Sequence, residues 1–466
     1  MHEVRASPVL PACLPNLSAS EEFAVMSADA ASHSSRHPTD DHGRDHVSPA
    51  DIALGVIIGR TSEYFDFFVF GLGCVLVFPE LVFPFADRLT GTLYAFGIFA
   101  LAFITRPIGS VLFFAIDRQY GRATKLTVAL FLLGGSTAGV AFLPGHATIG
   151  IWSIVILAGF RLLQGIALGG AWDGLSSLLA LNAPPNRRGW YAMLPQLGAP
   201  FGFILAAGLF AYFEGALSKQ DFLGWGWRYP FFVALTINVV ALFARLRMVA
   251  THEFAELLQT RELMPVPVFE LVRVHGRTLV LGAFVPLASF ALFHLVTIFP
   301  VSWINLFTDR SVSEFLLVQA AGGVVGAGAI VTSGLIADQI GRRNTLLLSG
   351  GMIALFSLSS IVAPLLFGDS LAGQTIYVII GFGLLGLAYG QAAGAVASSF
   401  KAPYRYTGAA LTSDFAWLIG AGFAPLVALT LSSGFGLAWV GLYLLSGALC
   451  TLAALWFDRR LEARYE

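Results

Sequence analysis

Between residues 52 and 457 the chain alternates long apolar runs with short polar breaks, and the runs are too long to be core helices of a soluble domain. Crossing about 30 Å of hydrocarbon takes roughly 20 residues of helix. Twelve runs meet that length, at approximate positions 52–78, 90–116, 126–143, 149–181, 191–212, 229–248, 278–304, 315–337, 345–367, 376–397, 408–431 and 437–457. The pattern predicts an all-α polytopic membrane protein of twelve transmembrane helices. The largest interruption, 250–277, carries Glu253, Glu256, Arg261, Glu262 and Arg273. It reads as a central cytoplasmic linker, expected as an amphipathic surface helix, between six-helix units at 49–249 and 278–457.

The polar breaks repeat across the two units. Between spans 8 and 9 stands Gly334-Leu335-Ile336-Ala337-Asp338-Gln339-Ile340-Gly341-Arg342-Arg343, and between spans 2 and 3 stands Asp117-Arg118-Gln119-Tyr120-Gly121-Arg122. Glycine permits a tight turn, aspartate can hold a helix end, and arginine can bond the exposed carbonyls of the preceding helix. The repeated spacing predicts two latches, one per half, where a purely topological role would explain the arginines alone. With both termini in the cytoplasm, about seventeen Lys and Arg fall on that side and about four, Arg88, Lys219, Arg228 and Arg310, on the other. That asymmetry orients the protein in the bilayer.

Composition changes the picture little. Only 12% of residues are charged, and nothing points to nucleic acid. The first 48 residues are polar and are expected to be a disordered cytoplasmic tail; four irregularly spaced histidines, His33, His37, His42 and His46, belong to that solvated stretch. Residues 458–466 form a second cytoplasmic tail. No cleavable signal is visible, and Met26 is a candidate start. Cys13, Cys74 and Cys450 have no metal-ligand spacing, so neither a metal nor a cofactor is expected.

Charge inside the spans is where the chemistry lies. The first span contains Arg60, Glu63 and Asp66, which share a helix face at spacings of three. An ionisable group at the centre of a membrane helix costs about 2.5–3.5 kcal/mol, so it is kept for a partner or a task. Glu63 and Asp66 are the candidates for proton coupling, against the alternative of a structural ion network around Arg60 and Arg106. Arg161 is the candidate anion ligand, with Gln164 and Trp172 on the same face of span 4 and His294 and Gln391 across from it in the second half. Asp414 is a further acid within a span, in the second half. Arg60 and Asp173 lie at matching depths, and the pattern predicts that they pair, with Arg106 as a rival partner.

Several ordered stretches carry a resemblance. Gly59, Glu63, Tyr64, Phe65, Asp66 and Phe67 match a G-x-x-x-E-[WY]-[FY]-D-[FW] signature in helix 1, and they are followed by Arg106-Pro107-Ile108-Gly109 and Arg161-Leu162-Leu163-Gln164-Gly165. Arg188-Gly189, Pro195-Gln196-Leu197-Gly198, Trp227-Arg228 and Arg405-Tyr406-Thr407-Gly408 complete the set. In these the chain resembles transporters of the major facilitator superfamily, and within it the metabolite:proton symporter branch of bacterial inner-membrane proteins. The resemblance implies two six-helix bundles related by a pseudo-two-fold axis, helices 1, 4, 7 and 10 around a central cavity, and alternating access. It implies a small hydrophilic cargo, an organic acid, amino acid or betaine-like osmolyte, carried with protons by a monomer in the bilayer. Asp117, Arg118, Arg122, Asp338, Arg342, Arg343 and Arg405 fall at the gating positions.

This chain departs from the pattern at four places. Asp117 stands four residues before Gly121 where Asp338 stands three before Gly341. Ala171 and Asp173 replace an expected Glu and Gly, Lys401 replaces a proline, and Ala250 and His252 stand where Glu and Pro are common. Three functions remain in view: a proton-coupled importer, an exporter or uncoupled facilitator of the same fold, and a membrane enzyme or sensor. An enzyme would need a nucleophile with its base or a cluster of metal ligands, and the spans offer neither.

Overall fold

Within hydrocarbon every backbone N–H and C=O must be satisfied inside its own segment, so lipid-exposed apolar runs fold as helices. A computed structural model describes residues 49–171, 179, 183–249, 264–362 and 370–457, and its long elements are all helical. Among the described residues ten segments are long and apolar enough to cross a membrane. One of them, Arg88–Ala141, has 54 residues, about 80 Å at 1.5 Å each and more than twice a bilayer's need. Gly121, at φ 82° and ψ 167°, breaks it into spans 2 and 3. The helix Pro49–Leu76 carries Asp51, Arg60, Glu63 and Asp66, too many charges to qualify on hydropathy, yet it packs among spans 2, 5 and 6. Ten segments, the division at Gly121 and this first helix make twelve crossings.

The remaining spans are Trp152–Gly170 (4), Gly198–Ala216 (5), Arg228–Val249 (6), Val312–Ile340 (8), Arg342–Val362 (9), Leu371–Ser398 (10) and Ala438–Phe457 (12). Spans 7 and 11 are discontinuous. Span 7 runs as Val268–Phe284, Leu287–Val296 and Ile298–Phe307, beginning inside the stretch read from sequence as linker. Its second break frees two carbonyls, those of Val296 and Thr297, and the Gln319 amide of span 8 donates to both, at 2.7 and 2.8 Å. Span 11 passes from Arg405–Trp417 through a π-helical stretch, Leu418–Gly422, into Ala424–Phe435. The halves meet where span 5 packs on span 8 and span 2 on span 11. Residues 250–263, and with them most of the expected linker helix, lie outside the described residues, as do both tails, Trp172 and Asp173.

Between the halves the core is aromatic. Phe68 of span 1 stacks on Phe293 of span 7 at 5.4 Å, the hydroxyls of Tyr64 in span 1 and Tyr389 in span 10 touch, and Phe290 stacks on Trp417 within the second half with centroids 4.3 Å apart. Ring packing of this kind adds about 0.5–1.5 kcal/mol per pair beyond the area buried.

Candidate functional site

The paired carboxylates of span 1 have separate environments. Glu63 is held between two guanidiniums, Arg60 Nη1 at 2.7 Å and Arg245 Nη2 of span 6 at 2.5 Å. Arg245 also donates to the Ala171 carbonyl at 3.1 Å. It reaches Glu63 only because residue 59 is glycine: a Cβ there would stand 2.6 Å from Arg245 Nε. The Gly-x-x-x-Glu spacing thus has a packing cause, a notch one turn below the acid that admits a neighbouring arginine. The predicted Arg60–Asp173 pair involves a residue outside the described ones; Arg60 bonds Glu63. Arg106 crosses to the second half and bonds Asp414 of span 11 at 2.7 Å, where Ser110 also donates at 2.5 Å.

Asp66 faces the interior of the first half. Thr137 of span 3 donates to its Oδ1, and the Asn238 amide of span 6 lies 3.5 Å from the same oxygen. Ser62 in turn donates to Asn238 at 2.5 Å. Behind Thr137 the bonds continue in one direction, since Gln164 Nε2 donates to Thr137 at 2.9 Å and Arg161 Nη1 donates to Gln164 Oε1 at 3.1 Å. A chain of donors therefore runs from a cation to a carboxylate. Arg161 is fully buried, with its Cζ 4.2 Å from the Phe70 centroid and 4.6 Å from that of Phe99. Its Nε bonds the Phe99 carbonyl at 3.1 Å, and its Nη2 has no hydrogen-bond partner among the described residues.

Arg161 borders a cavity of about 30 Å³ together with Arg60, Glu63, Tyr64, Arg106 and Trp417. Another of about 30 Å³, bordered by Arg60, Gln196, Tyr389, Ser413 and Trp417, lies beside it. Each has room for about two waters, so the centre is closed on itself. A cavity of about 340 Å³ opens at the ends of spans 1, 5 and 7, among Glu80, Arg88, Glu214, Lys219 and Asn305. His294 is buried among rings near Arg161. Gln391 of span 10 has partners of its own: its amide donates to the Gly189 carbonyl, in the short helix Arg188–Met193, and to Ser333 of span 8, at 3.2 and 3.3 Å.

Those loops join the halves twice. Asp338 accepts the backbone N–H groups of Gly189 and Trp190 at 2.6 and 3.2 Å, and Arg342 donates to the Arg188 carbonyl at 2.7 Å and to Gly394 at 3.3 Å. Arg343 bonds the Leu455 carbonyl of span 12, at 2.9 Å through Nη2. Gly341 turns at φ 83°, matching Gly121. In the first loop the shifted Asp117 meets side chains. Arg122 lies 3.3 Å from it and Lys125 3.6 Å, the Tyr406 hydroxyl donates to it at 3.3 Å, and Lys125 donates to Tyr406 at 2.6 Å. The extra residue ahead of Gly121 is absorbed by a phenol reaching in from the other half. Arg118 is exposed, and Arg405 opens the helix that carries Tyr406.

Two six-helix halves closed over buried charge match known proteins. The profile of the Major Facilitator Superfamily fits residues 58–425. The chain belongs to that superfamily. Among its relatives is the inner membrane metabolite transport protein YhjE of Escherichia coli (strain K12), 35% identical over 89% of this chain and 96% of the relative. The shikimate transporter of the same organism is 31% identical over 85% and 91% of the two chains. Among solved structures, a D-xylose-proton symporter superposes with TM-score 0.66 at 17% identity, covering 90% of this chain and 99% of the other, a likeness of fold. This superfamily member is a transporter, and one prediction follows from its loops. Charge-assisted bonds of the Asp338 kind contribute about 1.5–3 kcal/mol each. Asp338→Asn is expected to slow transport about tenfold while the amount of protein in the membrane stays unchanged; an unaltered rate would leave these loops a topological role only.

Of the functional candidates, Arg245, Asn238, Thr137 and Lys125 are not singled out by the sequence reading, and Tyr406 enters it only within the Arg405-Tyr406-Thr407-Gly408 stretch. Asn238, a lone amide well inside span 6, carries a signal the sequence shows. Arg245 lies near the end of its span and Thr137 is a small residue of span 3, so neither stands out by type or position.

Proposed function

We propose that the protein is a proton-coupled symporter that carries a small organic acid across the bacterial inner membrane by alternating access, with Asp66 taking the proton and Arg161 taking the substrate carboxylate. The single observation that carries this reading is the donor chain Arg161–Gln164–Thr137–Asp66. With Asp66 ionised, it is the acceptor at the end of the chain and balances the arginine. Protonation removes that balance, and Arg161 is then left to take an anion. Among the described residues Arg161 contacts no carboxylate directly, and Asp66 is the acid at the other end of its hydrogen-bonded chain.

Glu63 has a different part. Clamped by Arg60 and Arg245, it holds spans 1 and 6 together, and Arg106–Asp414 ties span 2 to span 11 across the seam that must open. The loops at Asp117 and Asp338 close the cytoplasmic side, the cavity near Asn305 is the outer vestibule, and rocking of the halves exchanges the two. A shikimate transporter among the relatives and a proton symporter among the structural neighbours support this reading.

The test is uptake into proteoliposomes with a panel of labelled carboxylates, amino acids and betaines. One translocated net charge at 150 mV is worth about 3.4 kcal/mol, roughly a 300-fold gradient, whereas a proton with a monoanion moves no charge. A pH gradient is therefore expected to drive accumulation of a monocarboxylate and a membrane potential alone to leave it level. Uptake indifferent to both would make the protein an uncoupled facilitator.

A further inference from the structure

We infer that His294 is the second half of the substrate site and that it selects a hydroxylated carboxylate, with the substrate's acid on Arg161 and a neighbouring hydroxyl on the imidazole. The inference rests on the organic-acid reading above and narrows it.

His294 is fully buried, and neither Nδ1 nor Nε2 has a hydrogen-bond partner. Its neighbours are the rings of Phe67, Phe99, Phe293 and Phe103, with centroids 5.4, 5.5, 5.5 and 6.4 Å away, which offer no partner to a ring nitrogen. A histidine there as filler would be a poor choice, because phenylalanine occupies similar space without two desolvated polar atoms. Arg161 Nη2 has no partner either, and the guanidinium shares two of those rings, lying 5.9 Å from the Phe67 centroid and 4.6 Å from that of Phe99. Three buried polar atoms without a partner among the described residues thus lie around the same two rings, Phe67 and Phe99. They come from opposite halves, span 4 and span 7, so a ligand that satisfies them ties the halves together. His294 also sits just before the break in span 7, whose freed carbonyls Gln319 holds, so the backbone that presents it is fixed.

The chemistry of the ligand follows from the atoms left open. Neutral imidazole offers one N–H and one bare nitrogen, and Arg161 Nη2 offers N–H only. A carboxylate accepts from both donors but leaves the bare nitrogen unmatched. A hydroxyl beside it supplies the missing donor. A quaternary ammonium has no hydrogen to give. A primary ammonium has, but it would lie against the Arg161 guanidinium, which bonds a carbonyl and an amide and no carboxylate among the described residues. The open atoms and the Arg161 charge together select an acid bearing a hydroxyl.

The test pairs acids that differ at one group: lactate, propionate and alanine, and 3-hydroxybutyrate, butyrate and 3-aminobutyrate, as competitors and counterflow substrates of the full-length protein in proteoliposomes. Each hydroxy acid is expected to bind about tenfold or more tightly than its deoxy and amino partners. His294→Phe is expected to erase that preference, and His294→Gln, which keeps a donor and an acceptor, to restore part of it. In detergent His294→Phe should melt no lower than the parent protein. Carboxylates carried without regard to the hydroxyl would overturn this inference and leave the organic-acid reading standing; amino partners preferred over hydroxy ones would do the same. A His294→Phe protein that fails to fold would show the histidine to be structural and overturn it too. If no carboxylate is carried, the organic-acid reading falls first and this inference with it.

Discussion

Asp66→Asn is expected to reduce uphill uptake to simple equilibration while exchange of labelled for unlabelled substrate continues. The asparagine is isosteric and can still accept from Thr137, so the hydrogen-bonded chain to Arg161 stays in place. What it loses is the ability to change charge. The site then stands permanently in its proton-loaded condition, with Arg161 free to take an anion and no step at which a proton must leave. Accumulation driven by a pH gradient should therefore fall to a ratio near one. Counterflow needs only that loaded carrier cross in both directions, and it should survive. Measured side by side in proteoliposomes, full accumulation by the variant would remove Asp66 from coupling.

The second large effect is on folding. Glu63→Gln leaves Arg245 and Arg60 without their shared carboxylate, and Arg245 is 2% exposed. Stranding a buried charge costs on the order of 3–5 kcal/mol, more than many membrane domains can lose. Arg245→Met is expected to be milder, because Glu63 keeps Arg60. The double variant should lose less than the two single losses added together, since each change removes the charge that the other would strand. Melting in detergent and the yield of folded protein measure all three. Strict additivity would mean that the 2.5 Å contact between these residues contributes nothing of its own. Gly59→Ala should act in the same direction by pushing Arg245 aside.

These two carboxylates show where sequence reasoning stops. Spacing of three puts Glu63 and Asp66 on one helix face, and on that ground both were candidates for the same task. Packing separates them. One turn of helix carries Glu63 into the reach of a span 6 arginine, while Asp66 meets the Thr137 hydroxyl of span 3 and the Asn238 amide of span 6. Gln391 reaches from span 10 to the Gly189 carbonyl of the first half, and the shifted Asp117 gains a tyrosine from the second.

The sequence by itself determined the all-helical class, the twelve crossings, the two-fold repeat and the residues worth watching. It could do so because hydrocarbon leaves a chain few choices: runs of about 20 apolar residues become helices, and buried charge is too costly to occur by accident. Only the tertiary structure decided the partners. Arg60 with Glu63 is local, but Arg245 with Glu63, Arg106 with Asp414 and Tyr406 with Asp117 join residues 182, 308 and 289 positions apart. Which arginine meets which acid depends on the rotation and tilt of each helix against its neighbours. Those are set by side-chain packing over whole surfaces, a quantity that no single stretch of sequence contains.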